Sequence, residues 1–120
     1  MTMSNLFEPE PLFVQELKLT FKDKLKQYDA EADFLDAAQK WCLQEGYLPI
    51  RINDSMHRGY SDLFIIVQGR LVCAELKDNT GKPSKHQLEF IKKVESYGAI
   101  GGVCRSIADI EDLCDEARQY

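Results

Sequence analysis

Three charged residues, Asp62, Glu75 and Lys77, stand among two otherwise apolar runs. Their neighbours are Leu63, Phe64, Ile65, Ile66 and Val67 in one run and Leu71, Val72, Cys73, Ala74 and Leu76 in the next, the composition of buried strands. A carboxylate in such surroundings is costly unless it is paired or bound to a cation. Two acids from neighbouring strands make a hard-oxygen site suited to Mg²⁺ or Mn²⁺, with water completing the shell. An ion held there would polarise a phosphodiester oxygen and acidify a coordinated water. A nearby lysine orients that water or offsets charge that develops in the transition state. The trio is therefore equipped for phosphodiester hydrolysis. On spacing alone, the alternative is a solvated salt bridge on an edge hairpin.

The elements that must position these residues are visible around them. Gln68-Gly69-Arg70 separates the two apolar runs and reads as the turn of a hairpin. With Gly69-Arg70 as a two-residue turn, Asp62 falls opposite Lys77 and Phe64 opposite Glu75. Strand alternation then places Asp62, Glu75 and Lys77 on one face at one end of the sheet. A three-residue loop without a bulge would break that alignment. Before the hairpin, residues 30–45 carry an amphipathic stripe of Phe34, Leu35, Ala38, Trp41 and Cys42, and Gly46 ends the helix. Residues 47–52 read as a first strand, and residues 53–61 as a polar loop containing His57, Arg58 and Gly59. Ser84 is placed to cap a helix that stops at Gly98, and residues 99–104 form a last short strand. Ser106, with Asp109 three residues on, opens a final helix whose stripe is Ile107, Ile110, Leu113, Cys114 and Ala117.

The order helix, three strands, helix, strand, helix predicts an α/β fold, a mixed β-sheet flanked by helices. Residues 12–28 are ambiguous. Phe13, Leu17, Phe21, Leu25 and Tyr28 recur at helical spacing, while Leu17, Leu19 and Phe21 alternate as in a strand. Helix is the preferred reading. Residues 1–29 form an amino-terminal arm of unassigned role, and residues 30–120 the functional domain.

Composition narrows the class. A chain of 120 residues supports one core, and 44% hydrophobic with 29% charged residues is the balance of a globular protein. No apolar run approaches the ~20 residues that cross a bilayer, and no basic segment leads into an apolar one at the amino terminus. The expectation is a cytoplasmic protein with no membrane partner. The four cysteines lack any C-x-x-C spacing and read as reduced core thiols rather than a zinc site or disulfides. A net charge of −5 opposes tight non-specific DNA binding. Residues 51–105 nevertheless carry nine Lys and Arg against six Asp and Glu, a local balance of +3. His57 and Arg58 just before the trio, and Lys82, Lys85, His86 and Lys93 after it, are candidates for phosphate contact; a solvated surface is the plainer alternative.

Arg58-Gly59-Tyr60-Ser61-Asp62-Leu63, Gly69-Arg70-Leu71-Val72-Cys73-Ala74-Glu75-Leu76-Lys77 and Gly81-Lys82-Pro83-Ser84 with Gln87 together resemble the VRR-NUC family. That family is a branch of the PD-(D/E)XK nuclease superfamily with a restriction-endonuclease-like core. Tyr97-Gly98, Val103-Cys104-Arg105-Ser106 and residues 107–110 continue the match, which spans residues 31–110. The resemblance implies a VRR-NUC-like nuclease domain over residues 30–120, with Asp62, Glu75 and the Leu76 carbonyl as metal ligands and Lys77 as the catalytic lysine. It also implies that Gln87 lines the site from the following helix, and that Glu31, on the buried side of the first core helix, supplies a further acid and metal ligand. Each of these last two has an alternative. Gln87 with Ser84 makes a capping box, and Glu31 is an acid favoured at a helix amino terminus.

The activity implied is that of a Mg²⁺- or Mn²⁺-dependent endodeoxyribonuclease. Small stand-alone members resemble phage-type enzymes that act as homodimers on branched DNA, Holliday junctions among them, in a bacterial or phage-infected cell. The rival is a nucleic-acid-binding or assembly module with the same fold and no cleavage. Where many relatives carry proline before the metal-binding aspartate, this chain has Ser61.

Overall fold

The computed structural model describes residues 19–52, 59 and 61–119. In chain order the elements are α1 (Phe21–Lys24), α2 (Glu31–Gln44), β1 (Leu48–Arg51), β2 (Leu63–Val67), β3 (Arg70–Leu76), α3 (Lys85–Ser96), β4 (Ile100–Cys104) and α4 (Ile107–Arg118). The strands form one sheet in the order β1-β2-β3-β4. The first two pairings are antiparallel and the β3–β4 pairing is parallel, with α3 as the crossover that a parallel connection needs. This is the mixed, helix-flanked sheet that the element order predicts.

The central hairpin turns at Gln68-Gly69, where φ is 51° and 84°. Two left-handed residues in succession twist the chain as the flanking strands require. The predicted turn lay one residue later, at Gly69-Arg70. Gln68 takes the left-handed position, so Arg70 pairs with Val67, and the ladder runs to Leu63↔Ala74. Every pairing thus shifts by two residues, which keeps each side chain on its expected face. Asp62 now lies across from Glu75 rather than Lys77.

On one face, Leu63, Ile65, Val67, Val72, Ala74 and Leu76 are buried. They form a single core with Phe34, Ala38, Trp41 and Cys42 of α2 and with Ile107, Ile110, Cys114 and Ala117 of α4. Helix α3 covers the opposite face, burying Ile91 and stacking Phe90 on Phe64 with ring centroids 6.2 Å apart. The two glycines of β4 let both layers close in. A methyl group on Gly101 would come within 3.2 Å of Ile91, and one on Gly102 within 3.1 Å of Leu113. The helix ends behave as their residue types predict: Ser84 and Gln87 form a reciprocal capping box, and Ser106 accepts the Asp109 amide.

One expectation fails. Of the helix predicted over residues 12–28, residues 12–18 lie outside the described residues, and the remainder holds only the single turn of α1. Thr20 and Asp23 cap it reciprocally, and Leu25 closes it. Tyr28 is drawn instead onto Phe34, stacked at 5.1 Å, and its carbonyl accepts the Asn79 amide at 2.9 Å. A helix running on would commit that chain to its own hydrogen bonds.

The four cysteines are buried and unbridged, and burial raises each thiol, Cys73 to about 11 and Cys114 to about 12. No helix among the described residues is long and apolar enough to cross a membrane.

Candidate metal centre

Asp62 precedes β2, one step beyond the Leu63↔Ala74 pair, and therefore stands opposite Glu75. Its Oδ2 accepts the Leu76 amide at 3.1 Å, and its backbone carbonyl accepts the Ile52 amide at 3.0 Å, which ties it to the end of β1. Helix α2 brings Glu31 to the same place. Each of Glu31, Asp62 and Glu75 offers a carboxylate oxygen, and the three lie within 4.8 Å of one another. Lys77 Nζ stands 3.5 Å from Glu75 Oε1 and 3.7 Å from Glu31 Oε1. The expectation put Glu31 on the buried side of its helix. As the first residue of α2 it is instead half-exposed at the rim, and reaches the cluster by its carboxylate.

Glu75 is the anomaly. It is fully buried, and neither of its carboxylate oxygens has a hydrogen-bond partner. An ionised carboxylate taken out of water in that way costs several kcal/mol, which a single ammonium at 3.5 Å does not offset. Burial, and then the charge of Asp62, raise the Glu75 carboxyl to about 8, against the pull of Lys77. Three convergent oxygens, one of them on a buried carboxylate that makes no hydrogen bond, fit a hard divalent cation.

The chain beyond β3 is held from three sides. The Lys77 amide donates to the Cys104 carbonyl at 3.0 Å, Arg105 Nη1 to the Asp78 carbonyl at 3.0 Å, and the Asn79 amide to Tyr28. Asp78 folds its own turn by accepting the Thr80 and Gly81 amides at 3.0 and 2.6 Å. These contacts fix the backbone that carries Lys77. Tyr28, Asp78 and Arg105 were not singled out as supports, because each acts on a residue distant in sequence or through its backbone.

A cleft of about 220 Å³ opens beside the acids, lined by Glu31, Ala32, Leu35, Arg51, Asp62 and Leu76. Arg51 is a site residue that sequence reasoning missed. Its signal is the β1–β2 register, which pairs it with Leu63, next to Asp62.

Other predicted residues are placed elsewhere. The Gln87 Oε1 accepts the Ser84 amide at 2.8 Å, and among the described residues no hydrogen bond joins Gln87 to the three acids. Lys82, Lys85 and His86 are exposed, and Lys85 and His86 each approach Glu89 only at 3.9 Å. Lys93 is exposed in the last turn of α3. His57 and Arg58 lie outside the described residues. Gly59, with φ 82°, sits so close to the start of α3 that a β-carbon there would be 2.5 Å from the His86 carbonyl carbon and oxygen.

A solved structure described as a VRR_NUC domain is similar to this chain, at 25% identity and a TM-score of 0.60, covering 71% of this chain and 94% of that one. No family model matches the sequence, and no curated protein matches it. The chain has a VRR-NUC-like nuclease fold, and its acidic cluster lies on the strands and helix described above.

Proposed function

We propose that the protein is a divalent-metal-dependent DNA nuclease whose centre is Glu31, Asp62, Glu75 and Lys77. The observation that carries this reading is the buried Glu75, whose oxygens make no hydrogen bond, within a three-carboxylate cluster in a chain of VRR-NUC-like fold. Glu31, Asp62, Glu75 and the Leu76 carbonyl would hold Mg²⁺ or Mn²⁺. Such an ion, when bound, supplies Lewis-acid charge at a phosphodiester and acidifies water. The remaining roles belong to the chain. Asp62 is preset by the Leu76 amide, so it needs little reordering. Lys77 places an ammonium beside the acids, where it orients the attacking water and offsets charge on the phosphoryl oxygens. Arg51, across the cleft, holds a phosphate. His57, Arg58, Lys82, Lys85 and His86 steer the DNA backbone, and Gln87 caps the helix that carries Lys85 and His86. Residues 30–120 form the nuclease domain. A homodimer would set two such centres about a two-fold axis, suited to paired nicks in branched DNA such as a Holliday junction.

The test is incubation of the full chain with labelled junction, flap and duplex DNA in Mn²⁺, Mg²⁺ or EDTA, beside Asp62→Asn and Lys77→Ala. Metal-dependent cleavage lost in both variants is the expected result. Cleavage that survives EDTA or both substitutions overturns the mechanism. Absence of cleavage on every substrate indicates a binding module instead. Light scattering on the purified chain decides the dimer.

A further inference from the structure

At the other end of α3 a second cleft, of about 540 Å³, is lined by Arg70, Leu71, Phe90, Lys93, Val94 and Tyr97, among others. Its cations are Arg70 and Lys93, and no carboxylate is among its described lining residues. That is unusual in a chain with a net charge of −5. Arg70 is anchored at the wall, donating from Nη2 to the Gly98 carbonyl at 3.2 Å. Tyr97 stands at the mouth with 84% of its surface exposed. A lone exposed aromatic is ordinary on a protein surface. One set beside two cations over an apolar floor is the arrangement that stacks a base and holds its phosphate.

The position of this cleft relative to the acidic cluster gives it meaning. Arg70 opens β3 and Glu75 and Leu76 close it, so the strand sets a separation of roughly 20 Å at ~3.3 Å per residue. Helix α3 covers a similar distance, roughly 17 Å at ~1.5 Å per residue, from His86 against Gly59 to Tyr97 at the cleft. At ~3.4 Å per nucleotide along a strand, that span is about six nucleotides. The exposed Lys92 and Lys93 lie on the helix between these two points, with Lys85 just before His86.

We infer that the Arg70–Lys93–Tyr97 cleft is a second DNA subsite, which holds one nucleotide of the bound strand about six positions from the phosphate at the acidic cluster. The inference rests on the nuclease reading and adds to it a substrate requirement: DNA must extend past the cut on the α3 side. The base stacks on Tyr97, and Lys93 meets the phosphate. Affinity therefore depends on length, up to the span between the two sites.

The test measures binding of fluorescent single-stranded oligonucleotides of about 4 and about 20 nucleotides, lengths below and above that span. The full chain is used in a Lys77→Ala background with Mn²⁺, so that the DNA stays intact. Tyr97→Ala and Lys93→Glu are expected to weaken binding of the long strand about tenfold or more and to leave the short strand unchanged. Lys93→Ala is expected to lower the salt dependence of the long strand by about one counterion. Unchanged long-strand binding in these variants overturns the subsite, and if the parent chain still cleaves DNA with Mn²⁺ the nuclease reading stands. If the parent chain neither binds nor cleaves any DNA, that reading fails first and the subsite goes with it. Equal losses on both strands, accompanied by loss of a dimer in light scattering, would assign the cleft to a second copy and overturn the inference. Binding of thymidine monophosphate that is lost in the variants, with no length effect on DNA, would overturn it in favour of a free nucleotide.

Discussion

Asp62 and Glu75 face each other across the β2–β3 hairpin, but only Asp62 is hydrogen-bonded: its Oδ2 accepts the Leu76 amide at 3.1 Å, while Glu75 is buried with neither oxygen in a hydrogen bond. One acid is held by a backbone amide, and the other is met only by the Lys77 ammonium at 3.5 Å. Glu75→Gln removes the buried charge and keeps the shape, so the metal-free protein should melt at a higher temperature than the parent at pH 8. The same change should abolish the rise in melting temperature that Mn²⁺ confers on the parent. Thermal melts in EDTA and in Mn²⁺ check both. A variant whose metal-free melting is lowered, or whose Mn²⁺ response is intact, would show that Glu75 is not the unsatisfied ligand.

The same carboxyl sets a pH dependence. Burial raises Glu75 from its ordinary 4.5 to about 8, so between those values the folded protein holds a proton that the unfolded chain releases. Metal-free stability should therefore fall as pH rises from about 4.5 to about 8, by at most about 1.4 kcal/mol per pH unit from this group, and then level off. Mn²⁺ affinity should move the other way, rising over the same window because binding must displace the proton. Urea melts in EDTA and calorimetric titrations in buffers of differing protonation enthalpy measure the two trends. A Glu75→Gln variant should lose the stability trend, and a slope that persists in it would assign the effect elsewhere.

Much of this site was legible because charge interrupts hydrophobic patterning. Asp62, Glu75 and Lys77 stand out within runs of Leu, Ile and Val, and the caps at Ser84 and Ser106 announce their helices by local spacing. The register was not legible in the same way. Gly69 can serve either Gln68-Gly69 or Gly69-Arg70 as a turn, and residue type does not say that Gln68 will accept a positive φ. The face survived the error because the shift was two residues rather than one. Arg51 enters the cleft through strand pairing and Arg105 steadies Asp78 through a contact 27 residues away, and neither relation has a local signature. The region before α2 was misread for a related reason, since Tyr28 is placed by its stack on Phe34 and not by its own periodicity.

Gly59 offers a test of how the segment before Asp62 docks on α3. Both Gly59 and Gly69 have positive φ, 82° and 84°, but an added methyl meets the His86 backbone at 2.5 Å in the first case and nothing within 4 Å in the second. Alanine at either position carries a conformational cost of about 1 kcal/mol. Gly59→Ala carries the clash in addition and should be the more destabilising of the two by roughly 1–2 kcal/mol in urea melts. It should also reduce DNA cleavage at least tenfold, while Gly69→Ala leaves cleavage near that of the parent. Equal destabilisation by the two substitutions would refute the close approach to His86.

Ser61 occupies the position where the resembling family often carries proline, and its hydroxyl is buried without a hydrogen-bond partner. It adjoins Asp62 but alternates to the other face of the strand, in line with Leu63. A buried hydroxyl left unpaired costs about 1–3 kcal/mol, whereas its removal leaves only a small gap in the packing. Ser61→Ala should therefore stabilise the protein by roughly 1 kcal/mol and leave metal-dependent cleavage unchanged. The urea midpoint and the initial rate on the best DNA substrate are the two readouts. A loss of stability would reveal a water or backbone partner for the hydroxyl, and a loss of rate at constant stability would draw Ser61 into the positioning of Asp62.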